Sequence, residues 1–525
     1  LRGWGKKGWV LAIDVGTQSV KALVFDREGN TLAAARRAYG PTVSGRPGLA
    51  EQDPQVFWDA MGEAVREIGK TSGEVLAKVD TVSLTTQRDT CVLLDGEGKV
   101  LRPAISWADQ RTVPRHKPVP WPYVLGTALT GMWPVVKTMS RHCHAHWIQE
   151  REPEVWKRTH RFLLLSGYFN FRMTGRFLDC PANQVGHIPF NYRKFRWESP
   201  WGLKAWVFQI PREKLCRLVE PGVPIGPLLP SVAGELGLPP GVLVHAAGSD
   251  KGCETLGVGC LEEGRAAVSL GTSATIQTTA GRYYETERFI PPFPAVVPGS
   301  YNPEVQVYRG YWMLSWFKGE FAREEVGEAR RLGIAPEELL NRRLAEVGPG
   351  SGGLVLQPYW KPALKRPESK GTILGFSDHH TRFHLYRAIL EGIGFALLEG
   401  MKKMERKSGV RIREIRLSGG GSQSGEICQI TADIFGLPVV RIQTAEAAAL
   451  GAAVAAYAAK GDFASYGEAV EAMVHVRDVF QPDPANARLY ASLYRKVYRK
   501  VYGRVGPLCR ALDAILPAMG PEGER

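Results

Sequence analysis

The chain has no C-x-x-C pair among its eight cysteines, no apolar run long enough to span a bilayer, and no long block of like charge. The cysteine spacing excludes a disulfide framework and reads as buried free thiols. The missing apolar run excludes a spanning helix, so no membrane partner is expected. The opening "LRGWGKKGWV" carries no apolar signal core before the first strand, and cytoplasm is the expected compartment. Acidic residues are the scarcer charge, 53 against 67 basic, for a net +14. Such an excess can mark nucleic-acid or anionic-membrane binding. Here the basic residues are scattered, with knots such as "MKKMERKSGVRIR" and "YRKVYRKVYGR" that suit solvated helix faces. A basic surface equally suits an enzyme of phosphate ligands, and no nucleic-acid partner is expected. What is present is ordinary for a globular protein, 44% apolar and 23% charged. At 525 residues the chain is too long for one core, and it divides naturally into 1–260 and 261–525.

Three tempting motifs carry nothing. "IGKTSG" ends like a phosphate-binding P-loop, but the preceding residues read as a helix. Asp53 caps it, Pro54 opens it, and Val56, Phe57, Ala60, Met61, Ala64, Val65 and Ile68 form one stripe. A P-loop needs a strand there. "GPGSGG" at 348–353 follows a helical run and precedes a strand, the reverse of dinucleotide-binding order. "RHCHAHW" at 141–147 has no zinc-site spacing and reads as structural.

The chemistry lies elsewhere. "LAIDVGTQSVKALVFDREGN", residues 11–30, reads as strand, tight turn, strand, turn. Gly16 lets the backbone approach a ligand, and the amides and hydroxyls of Gly16, Thr17, Gln18 and Ser19 resemble an anion-binding nest. Asp14 beside them could hold a hydrated divalent cation; a β-turn with a solvated aspartate is the plain alternative. "AAVSLGTSATIQT" at 266–278 repeats the device around Gly271, Thr272 and Ser273, with Ser269 where Asp14 stands. Two such hairpins suit a nucleotide clamped between similar domains. Between them, "HAAGSDKGCETLGVGC" places Asp250 at a helix start, where an N-cap is the ordinary role and a catalytic one is favoured by its position. "IRLSGGGSQSGEICQITADIFGLPVV" then runs strand, three glycines, helix, and "AEAAALGAAVAAYAAKG" gives an alanine-rich helix able to pack closely.

These devices, in this order, resemble the FGGY carbohydrate kinases of the actin-like, hexokinase-like superfamily, over Val10 to about Val479. "DVGTQSVKA" resembles the first phosphate motif, "SLGTSA" the second, and "GGGSQSGEICQITADIFGLPV" with "EAAALGAA" the adenosine signature. "TTQRDTCVLLDGEGKVLRPAISWADQRT" resembles the sugar-facing segment, and "PYWKPALKRPESKGTILGF" the middle of the second domain. The resemblance implies an α/β protein of two ribonuclease-H-like (actin-like ATPase) domains around a ligand cleft, acting with ATP and Mg²⁺ on a small carbohydrate. It implies Asp250 as general base and Asp14, with Asp250 close by, as the Mg²⁺ site. Thr17, Gln18 and Lys21, with Gly16 in their turn, would face the terminal phosphates. Gly271, Thr272 and Ser273 would face the chain's other side, and Gly420, Gly421 and Ser424 the adenosine. Gln87, Arg88, Asp89, Trp107 and Asp109 would line the acceptor pocket.

"TQRDT" is nearer the glycerol kinase form of its segment than the pentulose kinase form, and Lys251 stands where the glycerol enzymes carry glutamine. A lysine beside the base either lowers the base's pKa or pairs with a polar or anionic acceptor group; pointing to solvent is its plain alternative. The expected substrate is thus a ketose, polyol or sugar acid, with glycerol-type polyols as the alternative. From another class, an actin-like or chaperone-like ATPase would need a further domain after Pro482, where only a helical tail follows. A homodimer is left open.

Overall fold

The computed structural model describes residues 8–40, 48–361 and 366–516. The first seven residues, the end of the helical tail and part of the "PYWKPALKRPESK" stretch lie outside the described residues.

Two six-stranded sheets organise the chain. The first contains β1 (Trp9–Val15), β2 (Ser19–Phe25), β3 (Thr31–Ala38), β4 (Val79–Thr86), β5 (Pro224–Pro227) and β6 (Leu243–Ser249), in the order β5-β6-β4-β1-β2-β3. The second contains β7 (Arg265–Leu270), β8 (Ala274–Gln277), β9 (Glu304–Val307), β10 (Glu414–Ser418), β11 (Val439–Ile442) and β12 (Val476–Phe480), in the order β9-β8-β7-β10-β11-β12. In each, an antiparallel meander of three joins two parallel strands, and an antiparallel strand closes the far edge. The repeat of the hairpin is therefore a repeat of a whole sheet. One difference marks the copies: the far edge strand precedes its neighbour in the chain in the first sheet and follows it in the second. Val10 to Val15 are all buried, as expected of a central strand covered on both faces, whereas β3 at the edge alternates with solvent.

Helix α1 (Pro54–Thr71) forms where the apolar stripe required it. The Asp53 carboxylate accepts from the Gln55 amide, and Phe57, Met61, Ala64, Val65 and Ile68 are buried against the first sheet. Four further helices matter for the site: α2 (Asp250–Gly257), α3 (Arg382–Ser408), α4 (Gly425–Phe435) and α5 (Ala447–Lys460). Helix α3 runs through the second half's core and buries the Arg387–Glu391 pair at 2.8 Å against Tyr490. The basic tail beyond Pro482 turns Tyr490, Tyr494 and Tyr498 inward, leaving Arg495, Lys496, Arg499 and Lys500 outside.

The halves share a core of their own. Val10, Ala12 and Phe25 pack with Cys253 and Leu256 of α2 and with the alanines of α5. A Cβ at Gly257 would lie 1.9 Å from the Ala447 carbonyl oxygen, and one at Gly451 would lie 1.8 Å from that of Cys253. Only glycine permits this crossing, and it fixes α2 and α5 backbone to backbone.

Candidate active site

Parallel strands deliver their C-terminal ends to one edge, the usual place for a ligand in such sheets. Register sets Val15 of β1 beside Thr86 of β4, and Thr86 beside Ser249 of β6. The Gly16 turn, Gln87-Arg88-Asp89 and Asp250 therefore emerge together. In the second sheet, Ser269 of β7 sits beside Ser418 of β10. The Gly271 turn and the glycines after Ser418 emerge together in the same way.

In the first hairpin, Asp14 pairs in register with Lys21, with 3.9 Å between carboxylate and ammonium. Lys21 also pairs with Glu446, just before α5, and so links the halves. The Thr17 hydroxyl donates to Gln87 Oε1 at 3.2 Å and accepts from the Trp107 indole at 3.0 Å. The Gly16 turn and two expected acceptor residues thus share one hydroxyl. Burial pushes the Asp14 carboxyl up to about 7; Lys21 opposes the shift, and Asp250, Glu446 and Glu254 add to it.

Asp250 is the first residue of α2 and not its cap. Ser249 caps instead, its hydroxyl accepting from the Gly252 amide at 3.4 Å. Asp250 Oδ1 accepts from the Lys251 amide at 2.8 Å and lies 3.9 Å from Arg88 Nε. Its side chain keeps 28% exposure, enough to meet an acceptor. Burial raises its pKa, while Lys251 and Arg88 restrain the rise.

Arg88 forks onto Glu304 of β9 at 2.9 and 3.1 Å and lies over the Phe293 ring at 5.0 Å. Asp89 takes a φ of 53°, a left-handed conformation that aspartate tolerates better than most residues. Its carboxylate receives the His187 amide at 2.9 Å and faces His187 Nδ1 at 2.7 Å. Burial opposes the charge on both members, yet each stabilises the other: Asp89 is held below the usual carboxylate range and His187 above the usual imidazole range.

Several expectations need correcting. Asp109 does not offer its carboxylate to an acceptor. It accepts from the Ala50 amide at 2.6 Å and from Arg111 at 2.8 and 2.9 Å, with no side-chain exposure, and so braces the wall from behind. Lys251 is not directed at the acceptor. Its ammonium reaches Glu254 at 2.7 Å and the Ser269 hydroxyl at 2.6 Å. Glu254 in turn accepts from the Ser418 hydroxyl at 2.6 Å, so Lys251 ties α2 to β7 and β10. A Cβ at Gly421 would lie 2.5 Å from the Tyr311 ring; that glycine serves packing, whereas Gly420 faces open space. The Ser424 hydroxyl caps α4 by accepting from the Ile427 amide at 3.3 Å and donates to Glu426 at 2.6 Å. Gly271 and Thr272 accept from the Tyr311 and Trp312 amides through their carbonyls, at 3.0 and 3.2 Å. Thr272 is left exposed and Ser273 half-buried.

The sequence did not single out Glu304, His187, Glu446 or Lys361. Only Glu446 had a usable signal, as the acid opening the "EAAALGAA" helix. Lys361 is half-buried, 5.5 Å from the Tyr308 ring. Burial lowers its pKa, as does Arg309, against the pull of Asp89 and Asp109.

The chemistry of the donor set fits a magnesium ion. Asp14 is a buried carboxyl whose charge is disfavoured by burial and by the nearby, partly exposed Asp250, a conflict that a divalent cation relieves. Among the described residues no cluster of three metal-ligating side chains occurs. Mg²⁺ needs only one or two carboxylates when water and phosphate oxygens complete its shell.

Residues 9–257 match the N-terminal domain of the FGGY family of carbohydrate kinases, and residues 266–459 match its C-terminal domain. A xylulose kinase of Bacillus subtilis (strain 168) is 30% identical over 505 residues, covering 92% of this chain and 94% of its own. An uncharacterized sugar kinase, YgcE of Escherichia coli (strain K12), is 28% identical over 485 residues, covering 92% and 91%. The crystal structure of a xylulose kinase from Rhodospirillum rubrum superposes with a TM-score of 0.80 at 25% identity, covering 96% of this chain and all of that one. With both family domains matched in order along a duplicated actin-like fold, the chain belongs to the FGGY family of carbohydrate kinases.

Proposed function

We propose that this cleft transfers the terminal phosphoryl group of Mg-ATP to a hydroxyl of a ketose, polyol or sugar acid, with Asp250 as general base. The observation that carries this reading is the place of Asp250, directly after β6, near enough to Asp14 of the first hairpin to act on its charge, followed by Lys251 whose ammonium reaches Ser269 of β7, and partly open. Phosphoryl transfer passes through a loose transition state, so placement and charge matter more than base strength. Burial raises the Asp250 carboxyl while Lys251 and Arg88 restrain the rise, and in its carboxylate form the side chain accepts the acceptor's proton late in the transfer.

The division of labour follows the two halves, to about residue 260 and beyond it. Thr17, Gln18 and Lys21 hold the terminal phosphates from one side, and Gly271, Thr272 and Ser273 from the other. Gly420 offers open backbone to the adenosine. Gln87, Arg88, Trp107 and the Asp89–His187 pair shape the acceptor wall. Mg²⁺ at Asp14 and Asp250 would neutralise phosphate charge. Eight buried free cysteines suit a reducing compartment, the cytoplasm. The relative named xylulose kinase favours ketoses over glycerol.

Acceptor-dependent ADP release across polyols, ketoses and sugar acids tests the reading. At least one sugar is expected to raise ADP release well above the rate with ATP alone. A rate that no acceptor changes would return the protein to the simple ATPases.

A further inference from the structure

Most charges around the acceptor wall are already neutralised within the protein. Arg88 is matched by Glu304, Asp89 by His187, and Asp109 by Arg111. Lys21 and Lys251 are matched by Glu446 and Glu254. Two cations remain. Among the described residues neither Lys361 nor Arg309 has a carboxylate within 4 Å or a side-chain hydrogen bond; each only approaches a ring, Tyr308 at 5.5 Å and Trp312 at 4.7 Å.

Their place is informative. Tyr308 and Arg309 directly follow β9, whose Glu304 holds Arg88 beside Asp250. Lys361, over Tyr308, extends that same wall from the second half. Across from it, its charge is felt by His142 and His187 of the first half, and it feels Asp89 and Asp109 in return. His142 is kept neutral, lowered to about 4 by burial first and then by His187 and Lys361. Among the described residues, the far end of the acceptor wall therefore holds a half-buried ammonium with no carboxylate partner, a group that gains from an anion.

We propose that Lys361, with Arg309 beside it, binds a carboxylate at the acceptor's far end, so that the preferred substrate is a sugar acid whose reacting hydroxyl lies at Asp250. This rests on the kinase reading above and narrows it. The lysine expected to read the acceptor's charge is thus not Lys251, which is spent on Glu254 and Ser269, but one more than a hundred residues later. Lys361 acts on binding and leaves the proton transfer to Asp250.

The test uses the full chain, Mg-ATP, and acceptors matched in length: five- and six-carbon aldonates and keto-aldonates, the corresponding alditols and ketoses, and their phosphate esters. The acid is expected to exceed its neutral counterpart by about tenfold or more in kcat/KM. Lys361→Gln should remove about tenfold of the acid's kcat/KM, through KM, and much less of the neutral sugar's, the scale of one charge-assisted hydrogen bond. Lys361→Arg should restore most of the loss. The KM for ATP, measured in parallel, reports whether the nucleotide side of each variant is intact. A neutral sugar or a phosphate ester as best acceptor overturns the carboxylate assignment while the kinase reading stands. Equal losses for acid and neutral sugar in Lys361→Gln overturn the role of Lys361. Failure of every acceptor overturns this inference and the kinase reading together.

Discussion

Asp14 is the residue whose environment differs most from its chemistry in water. Its carboxyl is raised to about 7 in the folded chain from 3.8 in the open one. Between these values the folded state keeps a proton that the unfolded state has released. Metal-free stability therefore falls as pH rises through that window, and the full cost is present above about pH 7. Asp14→Asn removes the cost. Denaturant unfolding without metal should show the variant gaining on the parent protein, with a gap that widens between about pH 4 and about pH 7 and levels off above. A gap independent of pH would contradict the burial of an ionisable Asp14. The same substitution should weaken the Mg²⁺ dependence of turnover, because it removes one of two carboxylates.

At the scale of elements, the crossing of α2 and α5 is the tightest contact in the fold. Gly451→Ala places a methyl group 1.8 Å from the Cys253 carbonyl oxygen. Neither helix can give way without disturbing the shared core of Val10, Phe25 and Leu256. A loss of about 1–3 kcal/mol, the range for overpacking, is expected in denaturant unfolding; an unchanged midpoint would show that the helices separate freely. The same scale explains what could be read from sequence. Both hairpins were visible because Gly-Thr interrupts two apolar runs, and α1 because its stripe has helical period and a capped start. The turn at residues 419–421 was visible as glycines between a strand and a helix. Partners were not. Asp109 looked available because nothing in the spacing says that Arg111, two residues on, folds back onto it. Lys251 looked available because Ser269 and Ser418 reach α2 only through the second sheet. Glu304 and His187 lie 216 and 98 residues from the side chains they hold. Periodicity reports which face a side chain takes; it does not report what it meets there.

At the scale of the molecule, two similar sheets meet at a site that neither completes alone. Lys21 to Glu446, Arg88 to Glu304 and Lys251 to Ser269 all join one half to the other. On the proposed reading, bound triphosphate would compete with Glu446 for Lys21, so ligands are expected to rearrange these links as the cleft closes and water leaves the phosphate. Small-angle scattering should show the radius of gyration falling when a non-hydrolysable ATP analogue and the acceptor are added together. An unchanged radius would argue against closure.

The most direct measurement on the whole site is phosphoryl transfer by Asp250→Asn. The side chain keeps its shape and its contact with the Lys251 amide, and loses the ability to take a proton together with its charge toward Mg²⁺ and Arg88. Transfer to the best acceptor is expected to fall by at least about 10²-fold, with the affinity for the ATP analogue little changed. Turnover equal to the parent protein's would contradict Asp250 as the base, and with it the reading of this cleft.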